Sequence, residues 1–221
     1  MLRLRGWTKA GLIGLVVTSA AVALAAEEFT TLFDGKSKDG WVTNHGKPVP
    51  AANLQDDGLN PHKSGGYIVM YDKKFGDFVL DFDYKISKGC NSGVFIRVGD
   101  PKDPVNTGLE IAIDDTNGTG FHDPGAFYDL VATRLNAQKA AGEWNHMTIT
   151  AKGPHIKVAL NGEDVSAINL DEFDKPGIRP DGSKHKFSKV SIKDFNRPGY
   201  LGFQDHGMDS WYKNVKIKEL K

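Results

Sequence analysis

The chain has 221 residues, 25% of them charged and 39% hydrophobic, with a formal net charge of +0. That balance is ordinary for a globular protein and gives no electrostatic reason to expect nucleic acid or an anionic membrane surface as a partner. A single cysteine, Cys90, excludes an internal disulfide.

The first element is a targeting segment. Arg3, Arg5 and Lys9 form a basic stretch, Gly11 to Leu24 is mostly apolar, and Ala23-Leu24-Ala25 fits a small-x-small cleavage site. The pattern predicts a secretory signal peptide over 1–25 and one domain over 26–221. A membrane anchor needs about 20 apolar residues; this run is shorter and rich in Ala, Gly and Thr, so no anchor is expected after cleavage. Loss of Arg3, Arg5 and Lys9 leaves 25 basic against 28 acidic side chains, a net of about −3. Export without disulfides points to a bacterial periplasm or secretion, with the fold held by its core.

Short strands follow. Phe29 to Phe33 is apolar and ends at the turn Asp34-Gly35-Lys36; a second turn delivers Trp41. Residues 45–64, rich in Pro, Asn, Asp and Gly, read as a long loop over a site. Gly66 to Tyr71 is a strand. In Phe78 to Ile86, Phe78, Leu80, Phe82, Tyr84 and Ile86 share one face, while Asp81, Asp83 and Lys85 form a solvated stripe on the other.

Two neighbouring strands then carry the chemistry. In Asn91 to Val98, alternation turns Val94, Ile96 and Val98 one way and Asn91, Gly93, Phe95 and Arg97 the other. In Leu109 to Asp114, Leu109, Ile111 and Ile113 point inward, and Glu110, Ala112 and Asp114 share the opposite face. Gly93 and Ala112 leave space between a cation and two carboxylates, as a polar ligand would need. An ordinary Arg97–Glu110 pair on a wet face is the equal alternative.

A Gly/Asn/Asp loop follows, in which His122 is either a general acid or base or simply solvated. Strands are expected at 144–151, 155–160, 200–206 and 211–217, and a polar Pro/Gly loop at 171–183. Alternation in Leu201 to His206 puts Leu201 and Phe203 in the core and Gln204 and His206 on the other face. Trp41 and Tyr128 are either core aromatics or stacking platforms for a sugar. Cys90 lacks a nucleophile motif and reads as a buried thiol. No convincing helical period or repeat appears, so the chain is expected to be all-β, an antiparallel sandwich or jelly roll in one domain.

The motifs, in order, resemble the 3-keto-disaccharide hydrolase family, also described as 3-keto-glucoside lyase/hydratases. They are Leu32-Phe33-Asp34-Gly35-Lys36 with Gly40-Trp41, Asn91 to Arg97, Gly108 to Asp115, Gly125 to Asp129, Gly142-Glu143-Trp144-Asn145 with Leu160-Asn161-Gly162, and Gly199 to Gly207 with Tyr212 to Ile217. Ala112 stands where the family often has Gln, which removes a polar side chain from the floor. The resemblance implies a concanavalin-like jelly-roll sandwich of two antiparallel sheets. It also implies cleavage of 3-keto-glucosides or 3-keto-disaccharides by removal of the C2 proton, elimination and hydration. With the shared strand face, it suggests Glu110 as acid/base, Arg97 as substrate or enolate anchor, and Asp114 and His206 as supporting acid/base groups. Asn91, Gln204 and Tyr128 would hold sugar hydroxyls, with His122 and Trp41 as further contacts. Asp and Glu oxygens would suit a divalent cation such as calcium, although no loop has a ligand spacing. The expected partner is a carbohydrate, and oligomeric state is open. A non-catalytic carbohydrate-binding jelly roll is the alternative.

Overall fold

A computed structural model describes residues 28–55 and 58–221; the expected signal peptide over 1–25 lies outside the described residues. The strands in chain order are β1 (Thr30–Phe33), β2 (Trp41–Thr43), β3 (Leu54–Gln55), β4 (Gly58–Leu59), β5 (Ile68–Phe75), β6 (Phe78–Ile86), β7 (Asn91–Val98), β8 (Leu109–Asp114), β9 (Asn145–Lys152), β10 (His155–Leu160), β11 (Glu163–Asn169), β12 (Gly199–Gln204) and β13 (Ser210–Glu219). They form two antiparallel sheets. The larger runs β11-β10-β9-β6-β13-β4-β3, with β1 also on β13, and the smaller runs β2-β5-β12-β7-β8. The all-β sandwich expected from the turn-rich alternation is the observed architecture.

The core lies between the sheets, where period-2 alternation sends it. Phe78, Leu80, Phe82, Tyr84 and Ile86 of β6 are each at most 1% exposed, while Asp81, Asp83 and Lys85 lie on the opposite face. Across the gap, Phe203 of β12 stacks on Tyr212 of β13 at 3.8 Å and on Trp41 at 5.3 Å. Each fully buried large apolar side chain of this kind contributes roughly 1.5–3 kcal/mol.

Two segments depart from expectation. Residues 45–64 fold partly as the β3–β4 hairpin, added to the large sheet where Leu59 pairs with Tyr212. Buried asparagines allow this: the Asn53 amide donates to the carbonyls of Asn60 and His62, and the Asn60 amide donates to Asp209. Second, β11 follows the Asn161-Gly162 turn although its sequence is mostly polar. Val165 and Ile168 supply its core face.

The most consequential departure is a β-bulge in β7. Val98 pairs with Tyr200 and Phe95 with Gly202, so Ile96 and Arg97 together oppose Leu201. Arg97 sits at φ 53°, a left-handed backbone uncommon for a non-glycine residue. Gly199 makes the bulge possible, because a Cβ there would stand 2.2 Å from the Arg97 carbonyl carbon. The extra residue reverses alternation beyond it. Val98 joins Phe95, Ile68 and Met70 in an apolar cluster separate from the main core, and Arg97 turns away from Glu110.

Candidate functional site

The outer face of the small sheet carries the site. On β7, Asn91, Gly93 and Phe95 pair with Asp114, Ala112 and Glu110 of β8. Gly93 is required by close approach: a Cβ there would lie 2.9 Å from both Cγ and Oε1 of Glu110. The Glu110 side chain therefore leans over the glycine. On the other side of β7, Gly202 and Phe203 of β12 pair with Phe95 and Val94, which sets Gln204 near Gly93. Phe95 is 0%, Gln204 2% and Ala112 3% exposed. This is a covered face, not the wet side of a sheet.

The cover comes from chain outside the two sheets. Residues 125–128 run along the free edge of β8, with the Gly125 amide donating to the Ala112 carbonyl, the Ala112 amide to Ala126 and the Tyr128 amide to Glu110. This places Tyr128 beside Glu110. The His122 ring stacks on Tyr128 at 4.5 Å. Asp129 then turns the chain at φ 54°. One of its carboxylate oxygens accepts from the Arg179 guanidinium at 2.6 Å and the other from the Lys186 amide at 2.7 Å. That clamp brings the Lys186 ammonium to 4.0 Å from the Tyr128 ring centroid. From the opposite side Tyr67, just before β5, packs its ring edge-to-face on Phe95 at 6.0 Å and accepts a hydrogen bond from the Gln204 amide at 2.6 Å.

Of the residues singled out from the sequence, Glu110, Asp114, Asn91, Gln204, Tyr128 and His122 are brought to this face or its cover. The Asn91 amide donates to Asp114 at 3.4 Å. Three are not brought in. Arg97 is 1% exposed, and its guanidinium donates to Asp77 at 3.0 Å and to the Gly153 carbonyl at 2.7 Å. It ties the β5–β6 turn to the β9–β10 turn, and the bulge is why it cannot anchor a substrate beside Glu110. Trp41 is 2% exposed in the core, its indole N–H donating to the Leu32 carbonyl, so it is no sugar platform. His206 is exposed beyond the end of β12. The strand stops there because the Asp205 carboxylate is taken by His62, the Lys63 amide and the Gly207 amide. Lys186 and Tyr67 are the additions. Lys186 lies in a loop with no periodicity, and Tyr67 looks like any strand aromatic, so neither was legible.

Burial pushes the Glu110 carboxyl up from 4.5 to about 7, with Lys186 opposing that rise. Among the described residues its carboxylate has no hydrogen-bond partner. Burial also raises Asp114; the Asp115 backbone amide opposes the rise, repulsion from the Asp123 and Asp115 carboxylates adds to it, and His122 acts against it. A group near 7 can hold a proton or take one at neutral pH, as general acid–base work requires. The donor set does not form a metal cradle: among the described residues, no three His, Cys, Asp or Glu side chains converge to hold an ion.

Raising Glu110 has a stability consequence. The folded chain binds this proton more tightly than the unfolded chain, so stability is full below 4.5 and declines as pH rises to about 7. At about 1.4 kcal/mol per unit, discounted for partial exposure, the loss is roughly 2 kcal/mol. Urea denaturation of the native chain and of Glu110→Gln across pH 4–8 should show the variant gaining that amount relative to the native chain. A pH-independent difference between the two would contradict the placement of the carboxyl.

A family model described as "3-keto-alpha-glucoside-1,2-lyase-like domain" matches residues 28–218. A protein of Bacteroides thetaiotaomicron named 3-keto-disaccharide hydrolase is 25% identical, over 91% of this chain and 82% of that protein. Among solved structures, a protein of Parabacteroides distasonis carrying the provisional name glycosyl hydrolase is 29% identical with a TM-score of 0.72, covering 87% of this chain and 100% of that one. The carbohydrate-binding module CBM66 of Bacillus subtilis, 13% identical with a TM-score of 0.50, shares the fold over 87% of this chain and 100% of that one. The matched span reaches every strand of both sheets, stopping one residue before the end of β13, and includes the face on which Glu110 lies; the chain belongs to the 3-keto-alpha-glucoside-1,2-lyase-like domain family.

Proposed function

We propose that this protein is an exported enzyme that cleaves 3-keto-glucosides or 3-keto-disaccharides, with Glu110 as its acid/base group. The family and the relative named 3-keto-disaccharide hydrolase support the substrate class. The observation that carries the choice of base is Glu110 itself: a carboxyl at about 7, leaning over Gly93, without a hydrogen-bond partner among the described residues.

The C3 ketone acidifies the hydrogen on C2. Glu110 takes that proton, and the C–H pair becomes a C2–C3 double bond as the carbonyl pair moves onto the C3 oxygen. The enolate then re-forms the ketone, C1–C2 becomes a double bond, and the C1–O bond breaks with its pair leaving on oxygen. The leaving oxygen takes the proton Glu110 has just accepted. Water adds to the resulting enone, its oxygen bonding C1 and a proton going to C2, so the net change is hydrolysis. Glu110 and Asp114 are four residues apart on β8, about 13 Å at ~3.3 Å per residue. That span suits two sugar rings, with Asn91 and Asp114 holding hydroxyls of the ring distant from Glu110.

Incubation with a 3-keto-glucoside should release its aglycone, while the parent glucoside, lacking the ketone, should stay intact. Absence of release from the 3-keto compound would overturn the assignment. Sugar binding without turnover would favour the carbohydrate-binding alternative. Lys186→Met removes the cation that holds Glu110 down, so the ascending limb of kcat/KM should move to higher pH by up to about one unit. An unmoved limb would mean that Lys186 does not act on Glu110.

A further inference from the structure

The expected enolate anchor, Arg97, is spent on the two sheet-end turns, so the charge developing on the C3 oxygen needs another partner. The arrangement around Gln204 supplies one. Gln204 is 2% exposed, and its Nε2 donates to the Tyr67 hydroxyl at 2.6 Å. Its Oε1 is buried with no hydrogen-bond partner among the described residues. Leaving a buried polar atom unpaired costs about 1–3 kcal/mol. A purely structural glutamine would be expected to pair both ends of its amide. The orphaned end lies on the site face, in the strand position next to Gly93.

The hydroxyl of Tyr67 accepts from Gln204, so its own hydrogen is left to donate. Tyr67 is held from both sides. Its carbonyl accepts from the Asp205 amide at 2.9 Å, and its amide donates to the Asn44 side chain at 2.9 Å. Its ring rests on Phe95, which is paired across the strands with Glu110. Tyr67 and Glu110 thus approach the space above Gly93 from opposite sides of β7. A base on one side of a C2–C3 unit and a hydroxyl donor on the other is the arrangement enolate formation needs.

We infer that Tyr67 is a catalytic residue that donates its hydroxyl hydrogen to the C3 oxygen as it becomes an enolate, that Gln204 positions and polarises it, and that the free Gln204 Oε1 accepts from a neighbouring sugar hydroxyl. This rests on the 3-keto-glycoside assignment. A donor that is itself hydrogen-bonded from behind is strengthened by that bond. Burial, and then the Glu110 charge, push the Tyr67 hydroxyl above its usual range, while the Gln204 bond opposes them. It therefore stays a neutral donor at working pH.

A 3-keto-glucose analogue lacking the exocyclic C1 oxygen tests this, because its C2 hydrogen is acidic but it carries no aglycone to leave. In deuterium oxide, proton NMR should show the native protein exchanging that C2 hydrogen and Glu110→Gln failing to do so. Tyr67→Phe, which keeps the ring on Phe95, should slow exchange at saturating analogue by about 10²–10³-fold, with little change in the half-saturating concentration. Gln204→Met should slow it about 10-fold through loss of the bond to Tyr67, and it decides the matter if Tyr67→Phe does not fold. Exchange by either folded variant at the native rate would overturn the role of that residue while leaving the 3-keto-glycoside assignment standing. No exchange by the native protein would overturn both.

Discussion

Glu110→Gln is expected to lower kcat/KM for a 3-keto-glucoside by about 10²–10⁴-fold, the range in which a positioned general base contributes. Glutamine fills the same space over Gly93, where the side chain already makes close contact, so the fold has no steric reason to change. What disappears is the only chemistry that separates the two side chains, the ability to take a proton. In the native protein kcat/KM should rise with pH through a midpoint near 7, because Glu110 must be ionised to act and burial has moved it there. The variant's residual activity should lack that limb. Glu110→Asp retracts the carboxylate by one methylene from above Gly93 and should lose less than the amide does. Turnover of Glu110→Gln at the native rate would remove the carboxyl from the mechanism.

Asp77→Ala should carry the largest stability cost of any substitution considered, about 2–4 kcal/mol by urea denaturation. It strips the carboxylate from Arg97, whose guanidinium is 1% exposed and whose Nε already lacks a partner among the described residues. A buried ion left unpaired is costly, whereas removing both charge and desolvation is not. Arg97→Met should therefore cost less than Asp77→Ala. The cost of Asp77→Ala falls below the full value for a buried pair because the Asp77 side chain is 32% exposed and water can partly replace it. Neither change should alter turnover per folded molecule by more than a few-fold, since both side chains lie away from Glu110. A folded Arg97→Met without turnover would restore Arg97 as a substrate anchor.

These two residues show how far local pattern reaches. Glu110 was legible because alternation on β8 is unbroken, and its neighbours on the same face, Gly93 and Ala112, are small. β6 was legible for the same reason, nine residues of strict in–out order between two turns. Arg97 followed the same rule and was misplaced. A bulge adds one residue to one strand, and its local cause, Gly199, lies on a different strand about a hundred residues away. His206 was misplaced because Asp205 accepts from neighbouring amides and β12 ends at Gln204, two residues early. Trp41 could not be decided between core and surface without knowing that β2 pairs with β5 and delivers it between the sheets. Lys186 and Tyr67 were invisible because each reaches the site through contacts with distant chain, Lys186 through Asp129 and Tyr67 through Gln204. Ala112, which first suggested open floor, is 3% exposed, with residues 125–128 bonded to its main chain along the strand edge, so a polar side chain there would have to find a buried partner.

Cleavage by elimination and hydration leaves a mark that direct hydrolysis does not. The C2 hydrogen is lost in forming the enone and replaced from solvent when water adds. Turnover of a 3-keto-glucoside in deuterium oxide, stopped early and read by proton NMR, should give a released 3-keto-sugar carrying one deuterium at C2 for each bond cleaved. Product that retains its original C2 hydrogen, formed at the same rate, would contradict proton abstraction by Glu110 as the route to cleavage.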